Sequence, residues 1–269
     1  MRKIAVFSGS RAEYGLLVPV LRAIGGDPEL TLQLISGGTH LSDEAEFPVA
    51  AHVPITRADE TPASTPRAIG QGVLDLVAAY EALQPDAVLI YGDRFEAFAA
   101  MIAATQMGVP TGHIEGGDLT QGGTLDDVVR HAMSKLAHLH FATNGDAADR
   151  LRQMGEEAWR IHTVGFPPID LIRAGDFAPA DEVVAALGID PARPVILFTQ
   201  HPISTTPEAA GQEINSFEDL VTAVDKRHDY FHSVGCHLSD HGVAYVPDAE
   251  ATGAELDTIF NKVMGGAAV

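Results

Sequence analysis

A single cysteine, Cys236, in a chain of 269 residues excludes an internal disulfide and suits a reducing compartment. Positive charge is scarce as well. Seventeen lysines and arginines stand against 37 aspartates and glutamates, a formal net charge of −20, so the chain repels nucleic-acid backbones and anionic membranes at long range. A small anionic ligand remains compatible, because a few arginines and a helix N-terminus act within a Debye length of about 8 Å. Long apolar runs are missing too. Nothing approaches the roughly 20 residues that span a bilayer. The opening MRKIAVFSGSRAEYG has five apolar residues in its first seven positions, too few for a signal-peptide core. The expectation is a soluble, cytoplasmic protein of one large domain or two ordinary ones, with no internal repeat and no low-complexity tract.

What is present is an alternation of strand runs and helical periods over the first 165 or so residues, the signature of a parallel α/β sheet. KIAVFSG, LTLQLISGG, PDAVLIYGD, VPTGHIEGG and HLHFATN read as strands. Between and after them YGLLVPVLRAIGG, Ile69 to Leu83, RFEAFAAMIAATQMG, TLDDVVRHAMSKLA and GDAADRLRQMG read as helices, with turn signals at each junction. IHTVGFPPIDLI reads as the exit from this first domain, and PVILFTQHP as the first strand of another. The helix SFEDLVTAVDKRHDYFHSVG, capped by Ser216, and the shorter ELDTIFNKVMGG follow.

Ligands of open α/β sheets sit beyond the carboxyl ends of the strands, which singles out four loops. In SGSRAEYG, small residues let the backbone approach an anion at the next helix, and Arg11 adds a planar cation; a structural turn is the plain alternative. In YGDRFEAFA, Asp93 ends an apolar strand, so it needs a cleft or hydrogen bonds, or else caps its helix. In HIEGGDLTQGGTLDDVVRH, His113 and Glu115 end a strand, and a glycine-rich loop enters a helix carrying Asp126, Asp127, Arg130 and His131. Asp126 and Arg130, four apart, share a helical face and would otherwise be an ordinary surface pair. In FTQHPISTT, His201 ends the next strand, with a structural role as its alternative. Together the loops would place Asp93, Glu115 and Asp126 for proton transfers, and Arg11, Arg130 and His201 around a phosphorylated leaving group.

The segments SGSRAEYGLL, YGDRFEAFAAMIAA, HIEGGDLTQGGTLDDVVRHAMSKLAHLHFATN, VGFPPID and QHP stand in the order and spacing of the hydrolysing UDP-N-acetylglucosamine 2-epimerases. This chain resembles that family over residues 1–214, most closely the branch making N-acetylmannosamine for sialic-acid-type sugars. The resemblance implies an α/β fold of two Rossmann-like domains, as in GT-B glycosyltransferases, with the active site between them. It implies elimination of UDP across C1–C2 of the sugar and hydration of the glycal, with no cofactor or metal. It makes Asp93, Glu115 and Asp126 the acid/base carboxylates, with Asp93 handling the C2 proton. Arg11, Glu13, Arg94, His113, Arg130 and His201 become substrate contacts, and the UDP-sugar the ligand of an expected homodimer.

From about residue 215 the pattern changes. Adjacent serines are absent, so the Ser-Ser-Gly loop that holds UDP in the family is missing, and SFEDLVTAVDKRHDYFHSVGCHLSDHGV with ELDTIFNKVMGG resembles an internal segment of uronate isomerases. The expected organisation is an N-terminal Rossmann-like domain at 1–167, the start of a truncated second one at 168–214, and a mostly helical tail at 215–269. The tail's His228, His232, His237, His241 and Cys236 invite a metal reading. His228 and His232 are four apart on one helical face, but position 229 is Asp where a zincin needs Glu, so no metal site is assigned. Two alternatives stand beside the epimerase reading. The chain would be a fused, non-catalytic remnant that binds a sugar nucleotide weakly or acts in a complex; or it would be a uronate isomerase, against which counts the lack of that family's His-x-His metal pair, since His138 and His140 fall within a strand.

Overall fold

A computed structural model describes residues 1–38, 46–59, 61–120 and 125–188, together with 190, 218 and 222. The chain divides into two compact units, Met1–Phe177 and Ala178–Val269. The expected strand around residues 194–200, the stretch 226–242 and the helix near 255–266 lie outside the described residues, as does His201.

In the first unit, seven strands form one fully parallel sheet: β1 (Arg2–Ser8), β2 (Leu30–Ser36), β3 (Val49–His52), β4 (Ala87–Tyr91), β5 (Thr111–Ile114), β6 (Leu139–Ala142) and β7 (Ile161–Thr163), in the spatial order β3-β2-β1-β4-β5-β6-β7. The order reverses between β1 and β4. That is the topological switch point of a doubly wound Rossmann-like sheet, where the loops leaving neighbouring strands part and open a crevice. The crossovers are the helices α1 (Arg11–Gly26), α2 (Ser64–Leu83), α3 (Phe95–Gln106), α4 (Leu125–Leu136) and α5 (Gly145–Gln153), and α6 (Ile169–Ala174) follows β7. The second unit contributes α7 (Ala180–Leu187). Among the described residues no helix is long and apolar enough to cross a membrane.

Side chains alternate across the pleat, so each strand feeds two cores. On one face Phe7, Ile35, Ile90, Leu76 and Tyr80 pack with Met101 and Met133. On the other Val6, Leu34, Tyr91 and Ile114 pack against Leu17 and Leu21 of α1. The near-continuous apolar character of β1, β2 and β4 follows, because strands covered on both faces have no polar side to show. Helix α3 is buried almost throughout. Its alanines at 97, 99, 100, 103 and 104 let α2 and the sheet approach closely, and the Tyr80 hydroxyl donates to Ala100 O at 3.3 Å.

Three elements differ from the expectation. β3 is an edge strand with three of its four residues exposed, so VAAH carries no buried-strand pattern. β7, read from sequence as an exit segment, is a three-residue strand on the opposite edge, paired with β6 from Ile161 to Thr163. Helix α2 begins at Ser64, five residues before the apolar period starts, and the Ser64 hydroxyl accepts from Ala58 N at 2.9 Å and Asp59 N at 3.2 Å.

Candidate active site

The first loop is built around a helix start. Ser10 caps α1 by accepting Glu13 N at 3.2 Å, and the Glu13 carboxylate reaches back to Gly9 N at 2.6 Å, a reciprocal cap displaced by one residue. Glu13 is buried by that geometry. A Cβ at Gly9 would stand 3.0 Å from Glu96 Cβ and 3.1 Å from Glu13 Oε2, so glycine lets the two acids close around the loop. Burial, with the neighbouring Glu96 charge, pushes the Glu13 carboxyl up to about 7 against the opposing Gly9 N–H. Its Oε1 is buried without a hydrogen bond, 3.7 Å from Arg94 Nε. Arg11, at the first position of α1, is exposed.

The second loop leaves β4 through Gly92, whose φ of 73° is the left-handed conformation that favours glycine. Asp93 does not cap α3. Arg94 occupies the cap position without a side-chain hydrogen bond to the helix start, and turns back to Glu96 at 2.8 and 3.2 Å. Asp93 instead pairs with Arg130 of α4. Its carboxyl is nevertheless raised, because burial and the charges of Asp126 and Asp127 outweigh the guanidinium.

The third loop carries Glu115 at φ 67°, one of two non-glycine residues with positive φ among those described, while its amide donates to Phe141 O at 3.1 Å. Such a conformation costs on the order of 1 kcal/mol or more and turns the carboxylate out of the strand's alternation. Burial raises the Glu115 carboxyl, while the Tyr91 phenol and the Arg130 charge oppose that rise. Beyond it the chain is pinned by polar contacts. Arg150 donates to Gly117 O, the Thr143 hydroxyl donates to Asp118 at 2.6 Å, and Thr120 N donates to Asp127 Oδ1 at 2.8 Å.

His113 lies behind this surface and is wholly buried, so it has no face to present to a ligand in the cleft. Its Nε2 is 2.7 Å from Gly92 O and its Nδ1 3.1 Å from Ser134 Oγ. A carbonyl only accepts, which places the proton of the neutral ring on Nε2; Nδ1 then competes for the single Ser134 hydroxyl proton with Arg130 O, which lies 3.0 Å from that hydroxyl. Burial lowers its pKa to about 4, consistent with this neutral form.

Asp93, Glu115 and Arg130 therefore meet at the carboxyl ends of β4 and β5, with exposed Asp126 close enough for its charge to act on Asp93 and Arg94. Glu13 and Arg94 adjoin them, and Arg11 stands at the rim of the first loop. The ordinary surface pair, the alternative for Asp126 and Arg130, does not form, since Arg130 pairs with Asp93 and Asp127. Asp127, one residue on, is buried and bonds Arg130 Nη1 at 3.0 Å. Asp127, Tyr91 and Glu96 are the contributors that sequence reasoning left unassigned. For Asp127 the signal was present, since it stands three residues from Arg130 on the same helix.

Two measurements test this geometry. A Cβ at Gly117, φ 84°, would lie 2.4 Å from Ala147 O, whereas at Gly155, φ 89°, it would meet nothing within 4 Å. Gly155→Ala is expected to cost about 1 kcal/mol for the backbone conformation alone, and Gly117→Ala about 2 kcal/mol or more in urea unfolding. Equal losses would contradict the close packing of the loop on α5.

The second is pH dependence. His113, depressed from 6.5 to about 4, contributes stability that is present above pH 6.5 and lost as pH falls toward 4. Glu13, raised from 4.5 to about 7, contributes stability that is present below pH 4.5 and lost as pH rises toward 7. The two oppose each other, each on the order of 3 kcal/mol. Relative to the parent, Glu13→Gln should make stability fall more steeply from pH 6.5 to 4.5, and His113→Asn should make it rise, as read from urea midpoints. Slopes unchanged in both variants would contradict the assigned burial.

Known proteins resemble this chain in sequence and in fold. The chain matches the family described as UDP-N-acetylglucosamine 2-epimerase over residues 22–263. It is 34% identical over 213 residues to the UDP-N,N'-diacetylbacillosamine 2-epimerase (hydrolyzing) of Legionella pneumophila, covering 76% of this chain and 56% of that protein. The chain thus spans little more than half the length of that relative. The crystal structure of UDP-GlcNAc 2-epimerase from Neisseria meningitidis bound to UDP-GlcNAc shares the fold, with a TM-score of 0.59 at 23% identity over 70% of this chain and 52% of that one. A second likeness is local: a uronate isomerase of Phocaeicola vulgatus is 51% identical over 57 residues, 21% of this chain and 12% of that enzyme. The family match runs to residue 263 and so crosses the stretch in which the sequence resembles uronate isomerase. By the extent of the family match, together with a parallel sheet whose switch point gathers Asp93, Glu115 and Arg130, the chain belongs to the UDP-N-acetylglucosamine 2-epimerase family.

Proposed function

We propose that the crevice at the carboxyl ends of β1, β4 and β5 binds a UDP-linked 2-acetamido sugar and catalyses hydrolysing 2-epimerisation. With UDP-N-acetylglucosamine, the Asp93 carboxylate takes the C2 proton, the C1–O bond to the diphosphate breaks, and UDP leaves with the bonding pair. Water then adds to C1 of the glycal while a proton returns to C2 on the opposite face, which gives N-acetylmannosamine. Glu115 and Asp126 serve as the remaining acid/base carboxylates. Arg130 and Arg11, with Arg94 and His201, stabilise the charge on the leaving diphosphate. Glu13 contacts the substrate from the first loop. His113, buried against Gly92 and Ser134, positions the β4 and β5 ends from behind.

The observation that carries this reading is the convergence of Asp93 and Glu115, both with raised pKa, around one buried arginine at the switch point. A carboxyl whose proton affinity is raised by burial is the stronger base when ionised, which suits it to take a proton from carbon. The reading carries with it the organisation 1–167, 168–214 and 215–269, a cytoplasmic location and a homodimer.

A second reading is favoured by one fact: a separate 57-residue likeness leads to uronate isomerase. Under it the chain is a fused remnant that binds the nucleotide without turning it over. Losing several hydrogen bonds to a diphosphate, at roughly 1.5–3 kcal/mol each, weakens binding by orders of magnitude.

Purified protein incubated with UDP-N-acetylglucosamine, and in parallel with UDP-N,N'-diacetylbacillosamine, separates the two. Catalysis predicts equal amounts of UDP and the 2-epimeric sugar, with the rate falling at least about 100-fold in Asp93→Asn. No UDP from either nucleotide, with retained weak binding, would replace the first reading by the second.

A further inference from the structure

Asp127 is buried in the first turn of α4, and one of its oxygens takes two hydrogen bonds: Oδ1 accepts Thr120 N at 2.8 Å and Arg130 Nη1 at 3.0 Å. Arg130 is buried as well, and its other terminal nitrogen, Nη2, is the one that meets Asp93. One guanidinium is therefore clamped between two carboxylates from different elements. The first of these carboxylates is also tied to the glycine-rich loop through Thr120. A planar fork held at one prong has its second prong aimed, and its single charge divided between the two acids.

The geometry points to Asp127 as a positioning residue for the proposed reaction: by holding Arg130 Nη1 it fixes the guanidinium against Asp93 while drawing part of its charge away, and it couples that charge balance to the position of the loop that carries Thr120. The assignment rests on the role proposed for Asp93. The groups acting on Asp93 are Arg130, Asp126 and Asp127 from α4, with Glu115 beyond β5 and Tyr91 at the end of β4 in the same field. Removing the Asp127 charge leaves Arg130 to Asp93 alone and takes away one like charge. Both changes favour the ionised form of Asp93, so its midpoint moves to lower pH.

The test is the titration of Asp93 followed by carboxyl-carbon NMR in the full chain, for the parent, Asp127→Asn, Asp127→Glu and Asp127→Ala. Asn keeps an oxygen for Thr120 N and removes the charge; its Asp93 midpoint should move acidward by half a pH unit or more, and Glu should restore the parent value. Ala removes the acceptor too, and should speed hydrogen exchange at the Thr120 amide at least about tenfold while Asn leaves it protected. An Asp93 midpoint that is unchanged or raised in Asp127→Asn overturns the assignment, even where Thr120 exchange responds, because a purely structural pin would move the exchange alone. This readout needs no turnover. If the chain releases no UDP, the proposed reaction fails while the Asp93 titration still decides the role of Asp127. If it turns over, Asp127→Asn should lower kcat more than it raises KM and move the acid limb of the pH profile in the same direction as the NMR midpoint.

Discussion

The pairing of Arg130 with Asp93 holds the candidate site together. Asp93 hangs from the end of β4 and Arg130 projects from α4, so the bond ties two loops whose strands are neighbours and whose helices cover one face of the sheet. Removing Arg130 would leave two acids, the half-buried Asp93 and the buried Asp127, without their shared cation, whereas removing Asp93 leaves Arg130 its bond to Asp127. The pair is therefore a structural constraint as well as a chemical one. The sheet makes it available, since in a parallel array every strand delivers its carboxyl end to the same edge, and the reversal of order between β1 and β4 keeps that edge open.

Burial then sets the chemistry. Asp93, Glu115 and Glu13 are all withdrawn from water, and in each the loss of solvation is the largest influence, with hydrogen bonds and neighbouring charges adjusting the result. Sites that shift carboxyls in this way tend to be functional, although structural ion pairs do the same. What separates the two here is place. Asp93 and Glu115 follow the ends of β4 and β5, and Glu13 stands in the first turn of α1 after β1, all at the sheet's carboxyl edge. The Glu156 carboxylate, which pairs with His140, Lys135 and Arg160 well away from that edge, is instead lowered. Behind the acids, His113 and the glycines at 116 and 117 supply close packing; a Cβ at Gly116 would come within 2.8 Å of His113 Nδ1 and 2.9 Å of Ser134 Oγ.

Much of this was legible in the sequence because parallel strands buried on both faces read as apolar runs, and the residue that follows each run must stand at the sheet's carboxyl edge. That logic located Asp93, Glu115 and the loop before Arg130. It could not choose between Asp126 and Asp127. Both lie within one helical turn of Arg130, and the rotation of α4 on the sheet decides which is buried. Nor could it show that Glu115 adopts a positive φ, or that His113 faces inward, because alternation along a strand assigns the faces only once the sheet's neighbours are known. β3 escaped notice for the opposite reason: an exposed edge strand held by backbone bonds leaves no pattern in its side chains.

The most direct test of proton removal at C2 is to run the reaction in deuterium oxide and examine the released sugar by proton NMR. Abstraction by Asp93 followed by return from solvent predicts a 2-epimeric product with one deuterium at C2, formed in step with UDP. A product that retains its C2 hydrogen, or UDP released without inversion at C2, would contradict the account.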